Sequence, residues 1–181
     1  MNFYFLLFDK FETLDLFGPV EIFGRIPDAR LNYISTKGGI ITSAQGTQIL
    51  TQKAPKLPDD AVLVVPDGRG TRPLVKDADF LVGLKDLVDS AANVLSICTE
   101  SALLAAAGVL VNVKATSNKY AFERVTSTGD VVWIRKARWV HDGHFYTSSG
   151  VSAGIDMALG FVADHYGLDV AKANAQKAGY I

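Results

Sequence analysis

The 181-residue sequence contains one cysteine, Cys98, so no disulfide can close within the chain. Its three histidines form no Cys/His cluster with zinc spacing, and no metal is expected. Charge of either sign is not in excess: 18 basic and 19 acidic side chains leave a formal net charge of −1. That balance offers no electrostatic footprint for nucleic acid or an anionic membrane, and neither is expected as a partner. Long hydrophobic runs are missing. The apolar start, Met1 to Phe8, is too short to span a bilayer. It also lacks the basic region and small-residue cleavage site of a signal peptide, so it reads as a first strand. Without repeats, linkers or low-complexity segments, residues 1–181 read as one globular domain with a single core. The absent disulfide agrees with a reducing, cytoplasmic location.

What is present is alternation. Phe3 to Phe8, Leu31 to Ser35, Ala61 to Val65 and Val94 to Ile97 are short apolar runs of buried-strand length. Ile40 to Ser43 and Thr47 to Thr51 read as a β-ribbon turned at Gly46, and Asp142-Gly143 marks a hairpin between Arg138–His141 and His144–Ser148. Helical patterns fall between the strands. Pro19 is placed in the first turn of a helix that Gly24 ends, and Leu81 to Ala92 is amphipathic. Short helical and strand patterns follow at Tyr120–Val125 and Val131–Ile134. A helix runs from the Ser149–Gly154 turn to about Tyr166, and a polar helix spans Asp169 to Ala178. The order predicts an α/β fold, a mostly parallel sheet with helices on both faces.

The chemistry concentrates where strands end. Cys98 stands between the Val94–Ile97 run and the helical spacing of Leu103, Leu104, Ala106 and Ala107. Thr99 or Ser101 is placed to cap that helix, and free N–H groups with the helix dipole would favour a thiolate there. The arrangement is that of a nucleophile elbow with cysteine in place of serine. A lone cysteine is also commonly a small buried hydrophobe. Asp15, between Leu14 and Leu16, is either a helix cap or a carboxyl in need of a partner. Asp67-Gly68-Arg69-Gly70 follows a strand, lacks the third glycine of a dinucleotide fingerprint and the Gly-Lys-Ser/Thr of a phosphate loop, and on its own is a tight turn. In parallel sheets ligands bind beyond the carboxyl ends of strands. Asp15, Gly68 and Cys98 each follow one, so the fold would gather them in one crevice.

As a set, Leu14-Asp15-Leu16-Phe17-Gly18-Pro19-Val20-Glu21, Val65-Pro66-Asp67-Gly68-Arg69-Gly70, Ile97-Cys98-Thr99-Glu100-Ser101 and Thr147–Asp156 resemble the ThiJ/PfpI superfamily, relatives of the class I glutamine amidotransferase domain. The nearest resemblance is to the branch of isocyanide hydratases and the amidotransferase-like halves of AraC-type regulators. It implies a flavodoxin-like three-layer sandwich, commonly homodimeric, with Cys98 as nucleophile and Asp15 as its acidic partner. It further implies an anion-stabilising pocket from the N–H groups of Gly68 and Thr99. The implied reaction needs no metal or organic cofactor: the thiolate adds to the terminal carbon of an isocyanide, an acid protonates the nitrogen side, and water releases an N-substituted formamide. Glyoxalase- or deglycase-like chemistry on reactive carbonyls and a redox-sensing cysteine are the other readings. The chain offers no room for the regulators' helix-turn-helix. It also departs from the pattern. Protease-like members have histidine after the cysteine where Thr99 stands, and His141 and His144 flank a hairpin, as surface residues do. Hydratase-like elbows have glycine at the position of Glu100, whose carboxylate would either project over the pocket or point to solvent. The usual Pro-Gly-Gly is Pro66-Asp67-Gly68. Tyr120, Phe122 and Trp139 are placed either as pocket walls or as core.

Overall fold

The computed structural model describes residues 1–127 and 129–180. Strand β1 (Asn2–Leu6) leads to helix α1 (Thr13–Phe23), β2 (Arg30–Ser35) and the ribbon of β3 (Gly39–Thr42) and β4 (Gln48–Lys53). Next come β5 (Ala61–Val65), the single turn α2 (Thr71–Leu74), α3 (Ala78–Ser90) and β6 (Asn93–Ile97). A 3-10 turn at Cys98–Glu100 runs straight into α4 (Ser101–Ala106). The rest is β7 (Lys114–Ala115), α5 (Phe122–Thr126), β8 (Val132–Trp133), the hairpin β9 (Trp139–Asp142) and β10 (Phe145–Ser148), α6 (Ala153–Tyr166) and α7 (Leu168–Ala178).

Eight strands form one sheet in the order β3-β4-β2-β1-β5-β6-β10-β9. Every neighbouring pair is parallel except β3–β4 and β9–β10 at the two edges. The expected mostly parallel, flavodoxin-like architecture is present. The chain leaves β1 toward β2 on one side and returns as β5 on the other, so strand order reverses at β1/β5. That is where open α/β sheets leave a crevice at their carboxyl ends.

Aromatic packing seats the helices that matter for this crevice. Phe3 of β1 stacks on Phe23 of α1 at 4.3 Å between ring centroids, and Phe161 of α6 meets both rings edge-on. Each ring is fully buried, worth about 2 kcal/mol of transfer free energy. α1 and α6 also touch where Gly18 faces Ile155, a contact with no space for a methyl group.

Several boundaries differ from the sequence reading. Helix α1 begins at Thr13, so Pro19 lies in its interior rather than its first turn. The cost is one intrahelical bond, the one the Asp15 carbonyl would have accepted. Asp15 does not cap this helix: the cap position is Glu12, and Asp15 sits in the first turn with its carboxyl turned inward. Neither Thr99 nor Ser101 caps α4, because Thr99 is committed elsewhere. β8 holds two residues of the Val131–Ile134 run and pairs with β7, which went unread, in a separate parallel pair.

Candidate active site

The site is built at the ends of β1, β5 and β6. Ile97 is extended, Cys98 takes φ +63°, and the 3-10 turn follows at once. A non-glycine residue in this left-handed region costs about 1–3 kcal/mol, and the reversal holds the side chain at the mouth of the turn. The Cys98 carbonyl accepts a hydrogen bond from Ser117 Oγ at 3.0 Å, fixing the elbow from behind. Its Sγ accepts one from Asn118 Nδ2 at 3.1 Å. The orientation of Asn118 is set locally, since its Oδ1 accepts the Tyr120 N–H at 2.9 Å.

Asp67 is the hub. Its Oδ2 accepts from the Thr99 N–H at 3.1 Å and from Thr99 Oγ1 at 2.6 Å, and its Oδ1 accepts from Thr71 Oγ1 at 3.1 Å. The Asp67 N–H donates to Asp15 Oδ2 at 3.1 Å. One carboxylate oxygen of Asp15, one of Asp67 and Cys98 Sγ all lie within 4.8 Å of one another. Gly68 makes this approach possible. At φ +148° its loop runs against Lys10–Glu12, and a Cβ there would stand 2.2 Å from the Lys10 carbonyl oxygen.

Burial governs the protonation states. Asp15 is wholly buried, its Oδ1 has no hydrogen-bond partner among the described residues, and burial, then the Asp67 charge, push its pKa up to about 8. Asp15 therefore holds a proton at neutral pH. The Cys98 thiol is 6% exposed and is pushed well above the usual thiol range, first by burial, then by the charges of Asp67 and Asp15. The Asn118 hydrogen bond works the other way but does not offset them. The expected thiolate is thus a thiol in the resting state: the dipole of six-residue α4 is outweighed by two carboxyls and a dry setting.

The anion pocket differs from expectation as well. The Thr99 N–H already donates to Asp67, the side chain standing where the superfamily pattern has glycine. Glu100 neither overhangs the pocket nor reaches solvent. It is fully buried, and neither its oxygens nor Ser96 Oγ has a hydrogen bond of ordinary geometry. Burial raises its pKa to about 8; the Ser96 hydroxyl opposes that rise and the Asp67 charge adds to it. Asp15, Gly68, Cys98 and Thr99 do converge. Asp67 and Asn118 were missed as side chains: Asp67 was read only as a departure in a backbone motif, and Asn118 gave no signal. His141 and His144 are exposed on the β9–β10 hairpin, and Tyr120 is fully exposed, so none of them walls the thiol. Phe122 is core and packs edge-on against Trp133.

Two carboxylates and a thiol are also a mixed donor set for a borderline divalent cation. Filling it would require Asp15 and Cys98 to give up their protons.

An elbow cysteine flanked by carboxyls at the carboxyl edge of a parallel sheet defines a class of α/β domain. Within it, the chain belongs to the DJ-1/PfpI family, whose model matches residues 1–164. It is 34% identical over 169 residues to the isonitrile hydratase of Pseudomonas putida, covering 93% of this chain and 73% of that protein. A ThiJ/PfpI family protein from Pseudomonas syringae has the same fold at TM-score 0.90 and 29% identity, over 99% of this chain and 74% of the other. An AraC family transcriptional regulator from Pseudomonas putida superposes at TM-score 0.82 and 16% identity over 98% of both chains, a likeness of fold alone.

Proposed function

We propose that this protein hydrates small isocyanides to N-substituted formamides, with Cys98 as nucleophile and Asp15 as the acid. One observation carries the choice among cysteine chemistries: the Thr99 N–H is occupied by the Asp67 carboxylate. Attack on a carbonyl creates an oxyanion at once, and that oxyanion would meet a carboxylate where it needs a donor. Isocyanide hydration avoids this. The thiol sulfur bonds the terminal carbon while its proton, passed through the neighbouring carboxyls, goes to that same carbon, giving a thioimidate. Water then adds to the carbon as nitrogen takes a proton. The resulting carbinol collapses, its hydroxyl proton returning to sulfur as the C–S bond breaks. The sum is isocyanide plus water to formamide, without an oxidant or a cofactor. Redox sensing is disfavoured, since it needs a low-pKa thiolate, and burial with the neighbouring carboxyls pushes the Cys98 pKa up. The 34% identity to an isonitrile hydratase supports the same reading.

The test is formamide release from an alkyl isocyanide by the wild type, Cys98→Ala and Asp15→Asn. Turnover should vanish in the first variant and fall by about 100-fold or more in the second, in keeping with loss of a general acid. In the wild type it should be present below pH 8 and decline above it, as Asp15 loses its proton near pH 8. No turnover by the wild type, with activity on a dicarbonyl instead, would overturn the proposal.

A further inference from the structure

The loop that aims Asp67 at Thr99 has an outer face, and it borders a sizeable cavity. This cavity, about 960 Å³, opens beyond the carboxyl ends of β1 and β5. Its lining carries the exposed cations Lys10, Arg69 and Arg72 beside the apolar Phe8, Pro73 and Leu74. The one acidic residue of its lining, Asp9, spends an oxygen on the Thr42 N–H at 3.0 Å. Among the described residues, none of the three cationic side chains takes part in an ion pair.

Three positive groups against one negative around a single concavity is a local reversal in a chain of net charge −1. Arginine's planar fork matches carboxylate and phosphate oxygens two at a time, and such charge-assisted bonds are about twice as strong as neutral ones. The volume lies within the range of small-molecule sites, about 300–1,000 Å³. Phe8, Pro73 and Leu74 supply what a bare ion does not need, apolar side chains beside the cations. We propose that this cavity binds a small organic oxyanion, a charged carboxylate or phosphate head on an apolar body, with Arg69 and Arg72 holding the head. The site is separate from the thiol and does not rest on the hydratase reading. It does share the loop: Arg72 follows Thr71, whose hydroxyl holds Asp67.

The experiment is titration calorimetry of the full chain with phenyl phosphate, benzoate, inorganic phosphate and benzyl alcohol. Arg69 and Arg72 are exposed and unpaired, so the double variant Arg69→Ala/Arg72→Ala should keep the fold, which its circular dichroism and urea midpoint would report. Phenyl phosphate or benzoate should bind saturably, weaken with added salt, and lose at least about tenfold in affinity in the double variant. Cys98→Ala should bind as the wild type does, which separates this outcome from failure of the hydratase reading. Three results would each overturn the proposal: unchanged affinity in the double variant, equal binding of benzyl alcohol, or no saturable binding of any of the three anions at millimolar concentration. Inorganic phosphate binding as tightly as phenyl phosphate would overturn it as well, since the apolar body would then contribute nothing.

Discussion

At the scale of single residues, burial makes Asp15 and Glu100 carboxyls that hold protons at neutral pH. Glu100 is the clearest case, fully buried with neither oxygen hydrogen-bonded. Its pKa rises from 4.5 in the reference state to about 8 in the fold. The native state therefore keeps a proton that the unfolded chain releases from about pH 4.5 upward, and stability falls with pH until the folded group titrates near 8. Asp15 adds a loss of the same sign. Glu100→Gln cannot ionise. Its unfolding free energy from urea titration should decline less between pH 5 and pH 8 than that of the wild type, a difference on the order of a few kcal/mol. Parallel declines for the two proteins would show that Glu100 is not the buried acid described. Residue-level chemistry was only partly legible in the sequence. Cys98 announced itself at the end of an apolar run, and Asp15 as a carboxyl set between Leu14 and Leu16. Asp67 looked like a flaw in a glycine loop because its role depends on Thr99, 32 residues away, and Asn118 reaches the thiol across 20 residues.

At the scale of elements, the site depends on one close passage, the Asp67–Gly70 loop against the Lys10–Glu12 segment. The Glu12 N–H donates to the Asp67 carbonyl at 2.7 Å, and Phe11 bridges Gly68. Any side chain at Gly68 must push these segments apart. Gly68→Ala is expected to cost about 2–4 kcal/mol, from the steric conflict and the positive φ together. It should also release the Asp67–Asp15 contact, so thiol alkylation by iodoacetamide should change in the same variant, alongside the urea midpoint. An alanine protein with wild-type stability and alkylation would show that the passage is loose. Local signals placed most elements well, since strand runs and hairpin turns are carried by neighbouring residues. They failed at Pro19 and at β7. A helix that absorbs a proline, and a two-residue strand, are decided by what packs against them, which no local pattern encodes.

At the scale of the whole molecule, alternation of strand and helix was enough to foresee a parallel sheet whose carboxyl edge gathers the site. The sheet order, with β1 and β5 at its centre, also grades stability outward. Amides of β1, β5 and β6 are paired on both sides and should exchange slowest, through global unfolding. The outward-facing amides of β3 and β9 should exchange through local fraying. Mass-spectrometric hydrogen exchange reads this directly, and equal protection of edge and centre would contradict the order. The same order has a consequence for how the protein is made. The six strands running from β3 to β6 across the sheet all lie within residues 2–97, ahead of the rest of the fold in the order of synthesis. Asp15, Asp67 and Cys98 thus emerge early, while Asn118, the β10 strand that covers the free edge of β6, and the α6 helix that closes over α1 emerge late. A growing chain carries its thiol uncovered until those later segments follow it out.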